Sequence, residues 1–437
     1  MPIAKKGLLA LLLCLVTALY CAAAAADAVP EKTPAEGPET IPEEPAADNV
    51  LCAILYEEST DTYLFEKNPD QTNAPASMTK VMTAVLVLEK DPTLSGVLTV
   101  APEAVQPAYC SWMDTNHLYE GEVISVWDCM NYLLIPSGNE AATALAIHFS
   151  GSVNAFVEEM NQKAAELGMT NTRYIDPHGL MGPPQLISAR DMLTLCRYAM
   201  TFANFRKIVS TKEGVVPASN MRKAGFTYKT TNRVMDPRGY EPYDTGFAQD
   251  ILGIKTGSTP AAGYNLACCM TDGALTIYSV VMHGQDDLYI GPYACTGSFL
   301  DTARLMKYAR QFEKYGFAAG DTVEERYVAG LWNKFAVTAG EDIYILKREG
   351  SASDMEIALD ELSGPIAAGD VVGTLTLRDE FGNARTTALR AAADANIMPW
   401  TVYFVPALAL LLVFALAARP VLARAKKRRA AADGEKA

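Results

Sequence analysis

The chain has 437 residues, half of them hydrophobic, which is enough apolar material for a sizeable core. Its net charge is −14, with 51 acidic against 37 basic residues, and this argues against a nucleic-acid partner. Nine cysteines and four histidines are scattered without H-x-x-x-H or C-x-x-C spacing, so neither a metal nor any other cofactor is expected.

In chain order, Lys5-Lys6 leads into an apolar run from Leu8 that closes in alanines before Asp27. A charged start, an apolar core and a small-residue exit make residues 1–26 a secretory signal, with cleavage after Ala26 or Ala28. Residues 27–48 are rich in Pro, Glu and Ala and read as a stiff, coreless linker. Two cysteines lie in the signal, Cys14 and Cys21, which leaves an odd number beyond it and speaks against a disulfide-stapled fold. Cys110 and Cys129 are a candidate pair.

Residues 49–316 read as the main domain. Leu51–Tyr56 and Thr62–Phe65 are strands around a turn at Glu57–Asp61. From Ser77 to Glu89 the residues are apolar nearly all round, the pattern of a central buried helix. Helical periodicity recurs over 126–135, 139–149, 152–167 and 188–200. Strand patterns return at Ile251–Lys255, Tyr264–Met270 and Leu275–Met282, and Phe299–Tyr315 reads as an amphipathic helix. Strands at both ends bracketing a helical middle imply an α+β fold, one antiparallel sheet packed on a helical cluster. Residues 317–393 alternate short strand runs with Gly and Asp turns and read as a small all-β domain. Residues 397–418 carry no charge and are long enough to cross a bilayer, and the basic tail 419–437 marks the cytoplasmic side. The expected protein is therefore single-pass at the cell membrane, with its folded part on the extracytoplasmic side.

Three short strings in the main domain carry chemistry. Ser77 and Lys80 are three apart, so on a helix the amine reaches the hydroxyl. A helix start after Pro75 offers Ser77 free N–H groups and the favourable end of the dipole. Lys80 can take the serine proton only when neutral, a state that burial and a nearby cation, Lys255, both favour. Ser137-Gly-Asn139 follows an apolar run stopped by Pro136 and falls in a loop between two helices. There Ser137 can relay a proton and Asn139 can hold an amide, and either can also cap the following helix. Lys255-Thr256-Gly257 closes the strand from Ile251. An edge strand there can pair with an extended peptide, Lys255 and Thr256 can hold a carboxylate, and Gly257 permits close approach.

Ala74-Pro-Ala-Ser77-Met-Thr-Lys80-Val-Met-Thr83 and Pro136-Ser-Gly-Asn-Glu-Ala-Ala142 resemble blocks of the low-molecular-mass penicillin-binding proteins, the serine-type D-alanyl-D-alanine carboxypeptidases. Asn171-Thr172, Pro177-His-Gly-Leu180, Ser188-Ala-Arg-Asp-Met192 and Gly253-Ile-Lys-Thr-Gly257 with Gly263-Tyr-Asn-Leu266 resemble the same family in the same order. The resemblance runs from about residue 50 to 316, and more loosely through the small β domain. It implies a β-lactamase/penicillin-binding-protein-like transpeptidase fold. It implies that Ser77 attacks the D-Ala-D-Ala bond of a peptidoglycan stem peptide, with Lys80 as base and Ser137 protonating the leaving amine. Asn139 would orient the substrate, Lys255 and Thr256 would face its carboxylate, and the N–H groups of Ser77 and Ser258 would form the oxyanion hole. β-Lactam antibiotics would acylate Ser77. The chain departs from the family at Ser258, where several members have His, and in Gln285–Gly297, which holds no arginine.

Rival readings use the same residues differently. A DD-endopeptidase acting on cross-links shares the whole set. A β-lactamase needs a further carboxylate base, and no E-x-x-L-N string lies between Gly138 and Lys255. A wall-binding module without catalysis would not need both lysines.

Overall fold

The apolar runs that bracket the helical middle pair with one another. In the computed structural model, which describes residues 45, 47–106, 117–181, 184–327, 334–351, 354–360, 364–397 and 401–434, β1 (Val50–Glu57) and β2 (Thr62–Lys67) join β3 (Ile251–Thr259), β4 (Gly263–Thr271) and β5 (Thr276–Gly284). The sheet order is β2-β1-β5-β4-β3, antiparallel throughout, so β3 is an edge. Alternation along β1 divides the core: Cys52, Ile54 and Tyr56 face one layer of helices, whereas Ala53 and Leu55 face the other.

The first layer centres on α1 (Lys80–Lys90), whose residues from Lys80 to Leu88 are all buried. Around it pack α2 (Val126–Leu134), α3 (Asn139–Ser150), α4 (Val153–Glu166), α5 (Ala189–Ala199) and α6 (Ala203–Val209). The second layer is α7 (Gly297–Ala309). The helix expected over Phe299–Tyr315 stops at Ala309, and β6 (Phe312–Phe317) follows. Phe312, Tyr315 and Phe317 suit a strand, and β9 (Ile343–Arg348) supplies its partner, so tertiary pairing overrides the helical period.

β6 and β9 lead into the small β unit. Its five-stranded sheet runs β7 (Thr322–Tyr327), β8 (Lys334–Ala339), β12 (Ala384–Ala391), β11 (Val371–Arg378), β10 (Asp354–Leu359). It has its own core around Val337, Ile345, Leu375, Leu377 and Leu389. Leu346 and Phe312 instead join the second layer of the main domain, Phe381 stacks 5.3 Å from Phe312, and Arg385 donates to the Thr60 carbonyl. α8 (Thr401–Gly434) follows, and within it Phe404–Lys426 has a mean hydropathy of 2.2 over its most apolar stretch. Ile397, the expected start of the apolar span, belongs to a short strand, Ala395–Ile397. The signal 1–26 and Cys110, with its candidate pairing to Cys129, lie outside the described residues.

Candidate active site

Ser77 lies in a 3₁₀ turn, Ala76–Thr79, immediately before α1 rather than in its first turn. Ala76, at the start of this turn, has φ +48°, in the left-handed region, and the α-helix begins only at Lys80. The turn is tied down on several sides. The Thr79 hydroxyl donates to the Ala76 carbonyl at 2.8 Å, and the Gln185 amide donates to the Thr79 hydroxyl at 2.8 Å. Asn265 on β4 donates to the carbonyls of Ala74 (3.0 Å) and Pro75 (3.1 Å), and accepts from the His283 N–H at 2.7 Å.

Lys80 is fully buried, and its Nζ reaches three oxygens: Ser77 Oγ at 2.8 Å, Asn139 Oδ1 at 2.6 Å and the His178 carbonyl at 3.0 Å. The last two only accept. A neutral amine has two N–H groups for them and a lone pair left for the Ser77 hydroxyl, whereas a protonated amine donates to all three. Burial lowers the Lys80 pKa to about 7, against the opposing charges of Asp176 and Glu140. The cation expected to share in this, Lys255, is not the principal cause. Its own pKa lies well below the ordinary value through burial and through Lys80.

Asp176 organises the loop that presents the His178 carbonyl. Its Oδ1 accepts from the N–H groups of His178, at 2.8 Å, and Gly179, and its Oδ2 from Met181 at 3.0 Å. Burial opposes its charge, but the bonds from His178 and the backbone hold its pKa down to about 2. Thr83 on α1 fastens the same loop through the Pro177 carbonyl at 2.6 Å. Gly179, at φ +90°, crosses directly over the Ser77 turn: a Cβ there would lie 1.8 Å from the Ala76 carbonyl oxygen.

Ser137 is half-buried in the connection from α2 to α3, with φ +74°, and its hydroxyl has no hydrogen bond among the described residues. The cap of α3 is Gly138 with no side-chain bond, so neither Ser137 nor Asn139 serves as the helix cap. Asn139 is instead turned onto Lys80.

The Lys-Thr-Gly string sits inside β3, not at its end. Pairing to β4 continues through Ser258↔Tyr264 and Thr259↔Gly263, which carries the strand past the string before the turn. Lys255 is buried and donates to the Thr256 carbonyl at 3.0 Å, and the Thr256 and Thr231 hydroxyls are 2.6 Å apart. Ser258 is exposed. Gly257 permits a close approach, but of the chain itself. A Cβ there would lie 2.7 Å from the Pro75 carbonyl oxygen and 3.1 Å from the Ser77 and Met78 nitrogens. The Ser77 turn is thus pressed against the strand that carries the Ser258 N–H.

The structure therefore gathers Ser77, Lys80 and Asn139 into one hydrogen-bonded set and presses the Ser77 turn onto β3 beside Gly257. Asp176, Gln185, Thr83, Glu140 and Asn265 were not assigned roles from sequence. Thr83, Glu140 and Asn265 lay inside the quoted strings without a role of their own, whereas Asp176 and Gln185 sit in loops that leave no periodic signal.

The family described as D-alanyl-D-alanine carboxypeptidase, peptidase S11, matches residues 39–286. The chain belongs to this family. The D-alanyl-D-alanine carboxypeptidase DacF of Bacillus subtilis is 29% identical over 343 residues, 76% of this chain and 82% of that protein. A D-alanyl-D-alanine endopeptidase of Pseudomonas aeruginosa is 30% identical over 299 residues, 68% of this chain and 87% of that protein. Among solved structures, penicillin-binding protein 5 from Haemophilus influenzae is 27% identical with a TM-score of 0.55, covering 79% of this chain and 97% of its own. The expected penicillin-binding-protein-like fold is thereby borne out, and the protein is a serine-type D-alanyl-D-alanine carboxypeptidase.

Proposed function

We propose that this peptidase removes the terminal D-alanine from peptidoglycan stem pentapeptides through an acyl-enzyme on Ser77. The observation that carries the assignment is the fully buried Lys80 amine, 2.8 Å from Ser77 Oγ and held by two acceptor-only oxygens. Lys80 takes the hydroxyl proton as Oγ attacks the carbonyl carbon of the D-Ala-D-Ala bond. The N–H groups of Ser77 and Ser258 receive the oxyanion, each such donor being worth about 2.7–4 kcal/mol. The C–N bond breaks, the leaving amine takes a proton through Ser137, and water then hydrolyses the ester. Asn139 orients both Lys80 and the substrate amide, while Lys255 and Thr256 face the terminal carboxylate. β-Lactams enter the first half of this sequence and leave Ser77 acylated.

The domain plan is part of the same proposal: a signal over 1–26, a linker over 27–48, the catalytic domain over 49–316, the small β domain over 317–393 and an anchor. Phe404–Lys426 spans about 35 Å at 1.5 Å per residue, enough for a ~30 Å hydrocarbon core. With Lys and Arg concentrated at its far end, the catalytic domain lies on the extracytoplasmic side.

Cleavage of cross-links is the second reading, with which the likeness to the Pseudomonas endopeptidase is consistent. Mass spectrometry of full-length protein in detergent, given a D-Ala-D-Ala pentapeptide and a cross-linked dimer in parallel, separates the two. Loss of one D-alanine from the pentapeptide, with the dimer intact, is the expected result. Faster resolution of the dimer would replace carboxypeptidase by endopeptidase, and an Ser77→Ala variant that still turned over either would remove Ser77 as nucleophile.

A further inference from the structure

Among the described residues no hydrogen bond aims the Ser137 hydroxyl, so its direction is left to the backbone, and that backbone holds φ +74°, which residues with a side chain seldom adopt. Such an angle persists only where the neighbourhood imposes it. The residues that follow show how it is imposed.

Tyr132, near the end of α2, holds Gly138 from two sides. The Gly138 N–H donates to the Tyr132 carbonyl at 2.9 Å. The Tyr132 ring occupies the place where a side chain at 138 would begin: a Cβ there would lie 2.4 Å from Cε1 and 2.6 Å from Cδ1. Gly138 has an ordinary negative φ of −56°, so the ring, not the backbone angle, requires glycine. The ring is fixed in turn at its far end. Its hydroxyl donates to Glu140 Oε1 at 2.8 Å, and the Leu118 N–H donates to the same oxygen at 3.3 Å. Phe226 meets the ring edge-on at 5.5 Å. The dipole of α3 would favour an acidic residue in its first turn even on the surface. Glu140 is instead fully buried, as is the Tyr132 side chain, and burial of a carboxylate is costly unless donors hold it. Between Gly138 and Glu140 lies Asn139, turned onto Lys80. Each of the three residues after Ser137 is therefore fastened.

We infer that Tyr132 and Glu140 are positioning residues that brace the Ser137 backbone and so aim its hydroxyl at the leaving amine. Neither needs to touch the substrate. The inference rests on the proposed reading of Ser137. In that reading the Ser77 proton passes to Lys80, Ser137 gives its own proton to the amide nitrogen as the C–N bond breaks, and Ser137 recovers one from Lys80. An amide nitrogen cannot depart without that proton. A thiolate can, since a thiol titrates at about 8.5. The brace therefore matters to a peptide and little to a thioester with the same acyl group.

The test measures kcat/KM of full-length protein in detergent at about pH 8, above the Lys80 limb, on a peptide ending D-Ala-D-Ala and on the analogue whose last residue is thiolactate. Ser137→Ala is expected to slow the peptide by far the more. Tyr132→Phe, which removes one oxygen, is expected to slow the peptide about 10- to 100-fold and the thioester less than about threefold, a smaller loss than removing a general acid outright. Glu140→Gln keeps an oxygen to accept from Tyr132, and its peptide-to-thioester ratio is expected to stay within about twofold of wild type, the rescue that a bond rather than a charge predicts. A general loss of folded protein would lower both substrates alike. Equal losses on the two substrates in Tyr132→Phe, no loss on either, or the same split in Glu140→Gln would overturn the brace while the split in Ser137→Ala keeps the Ser137 reading standing. An absence of any split in Ser137→Ala would remove Ser137 as proton donor, and the brace with it.

Discussion

With Lys80 as the proposed base, the rate of acylation follows a titration curve whose limb falls at the pKa of the buried amine. An ordinary lysine, at 10.5, is neutral in only about one molecule in 3,000 at pH 7. Lys80, lowered by burial to about 7, is neutral in about half. Burial therefore raises the supply of free base at neutral pH by roughly 10³-fold, about 4–5 kcal/mol at 1.36 kcal/mol per tenfold step. The sign is fixed by chemistry: the neutral amine is the active form, so activity is lost as pH falls through the folded-state value. With a fluorescent penicillin in excess and rapid quenching, the acylation rate is expected to rise about tenfold per pH step below about 7 and to level off above it. Lys80→Arg keeps a cation but cannot be deprotonated. It is expected to abolish the rise and to slow acylation by about 10²–10⁴-fold, the usual contribution of a general base. A flat wild-type profile, or an arginine variant that acylates at near the normal rate, would refute the assignment of Lys80 as base.

Two further outcomes test the frame around that amine. Gly257→Ala pushes a Cβ against the Pro75 carbonyl oxygen at 2.7 Å, which is backbone and cannot swing aside; overpacking of this kind costs about 1–3 kcal/mol, so Tm should fall while acylation slows by about 10²-fold as the oxyanion donors part, and normal acylation would deny that β3 and the turn share a hole. Removal of residues 401–437 is expected to leave an active protein that fractionates as soluble, and an inactive but folded product, seen by circular dichroism, would give the apolar helix a part in catalysis.

Much of this site was legible in the sequence because its parts are short and rigid. Ser77 and Lys80 belong to one turn and helix, and the apolar surroundings from Val81 to Leu88 foretold that the lysine would be buried. The sheet was legible from strands that bracket the helices. Less visible were features fixed by distant partners. The end of α7 at Ala309 depends on β9, more than thirty residues on, and periodicity within Phe299–Tyr315 carries no trace of it. The continuation of β3 past Gly257 depends on pairing to Gly263 and Tyr264, whereas glycine taken alone signals a turn. The role of Gly257 is hard to read from sequence for a related reason. The sequence says that something approaches closely but cannot say whether it is substrate or the chain's own Pro75–Met78 turn.

The conformation of the Ser77 turn explains why so many residues outside the proposed reacting set converge on it. Ala76 and Ser137 both hold left-handed backbone angles that cost side-chain-bearing residues of order 1–3 kcal/mol; the first adjoins Ser77 and the second is itself in the proposed mechanism. Such angles persist only when the surroundings over-determine them. At Ala76 the surroundings are explicit: Asn265 holds the two preceding carbonyls, Thr79 holds the Ala76 carbonyl, Gln185 holds Thr79, and Gly257 and Gly179 close on the turn at distances that exclude a Cβ. Gln185 also accepts from the N–H groups of Ile175 and Asp176, so the loop that carries the His178 carbonyl to Lys80 shares a side chain with the turn that carries Ser77. Lys80 and Ser77 are consequently placed by one connected set of bonds. A disturbance to Asp176 or Asn265 would reach Ser77 and Lys80 together, although neither residue touches the substrate in the proposed mechanism.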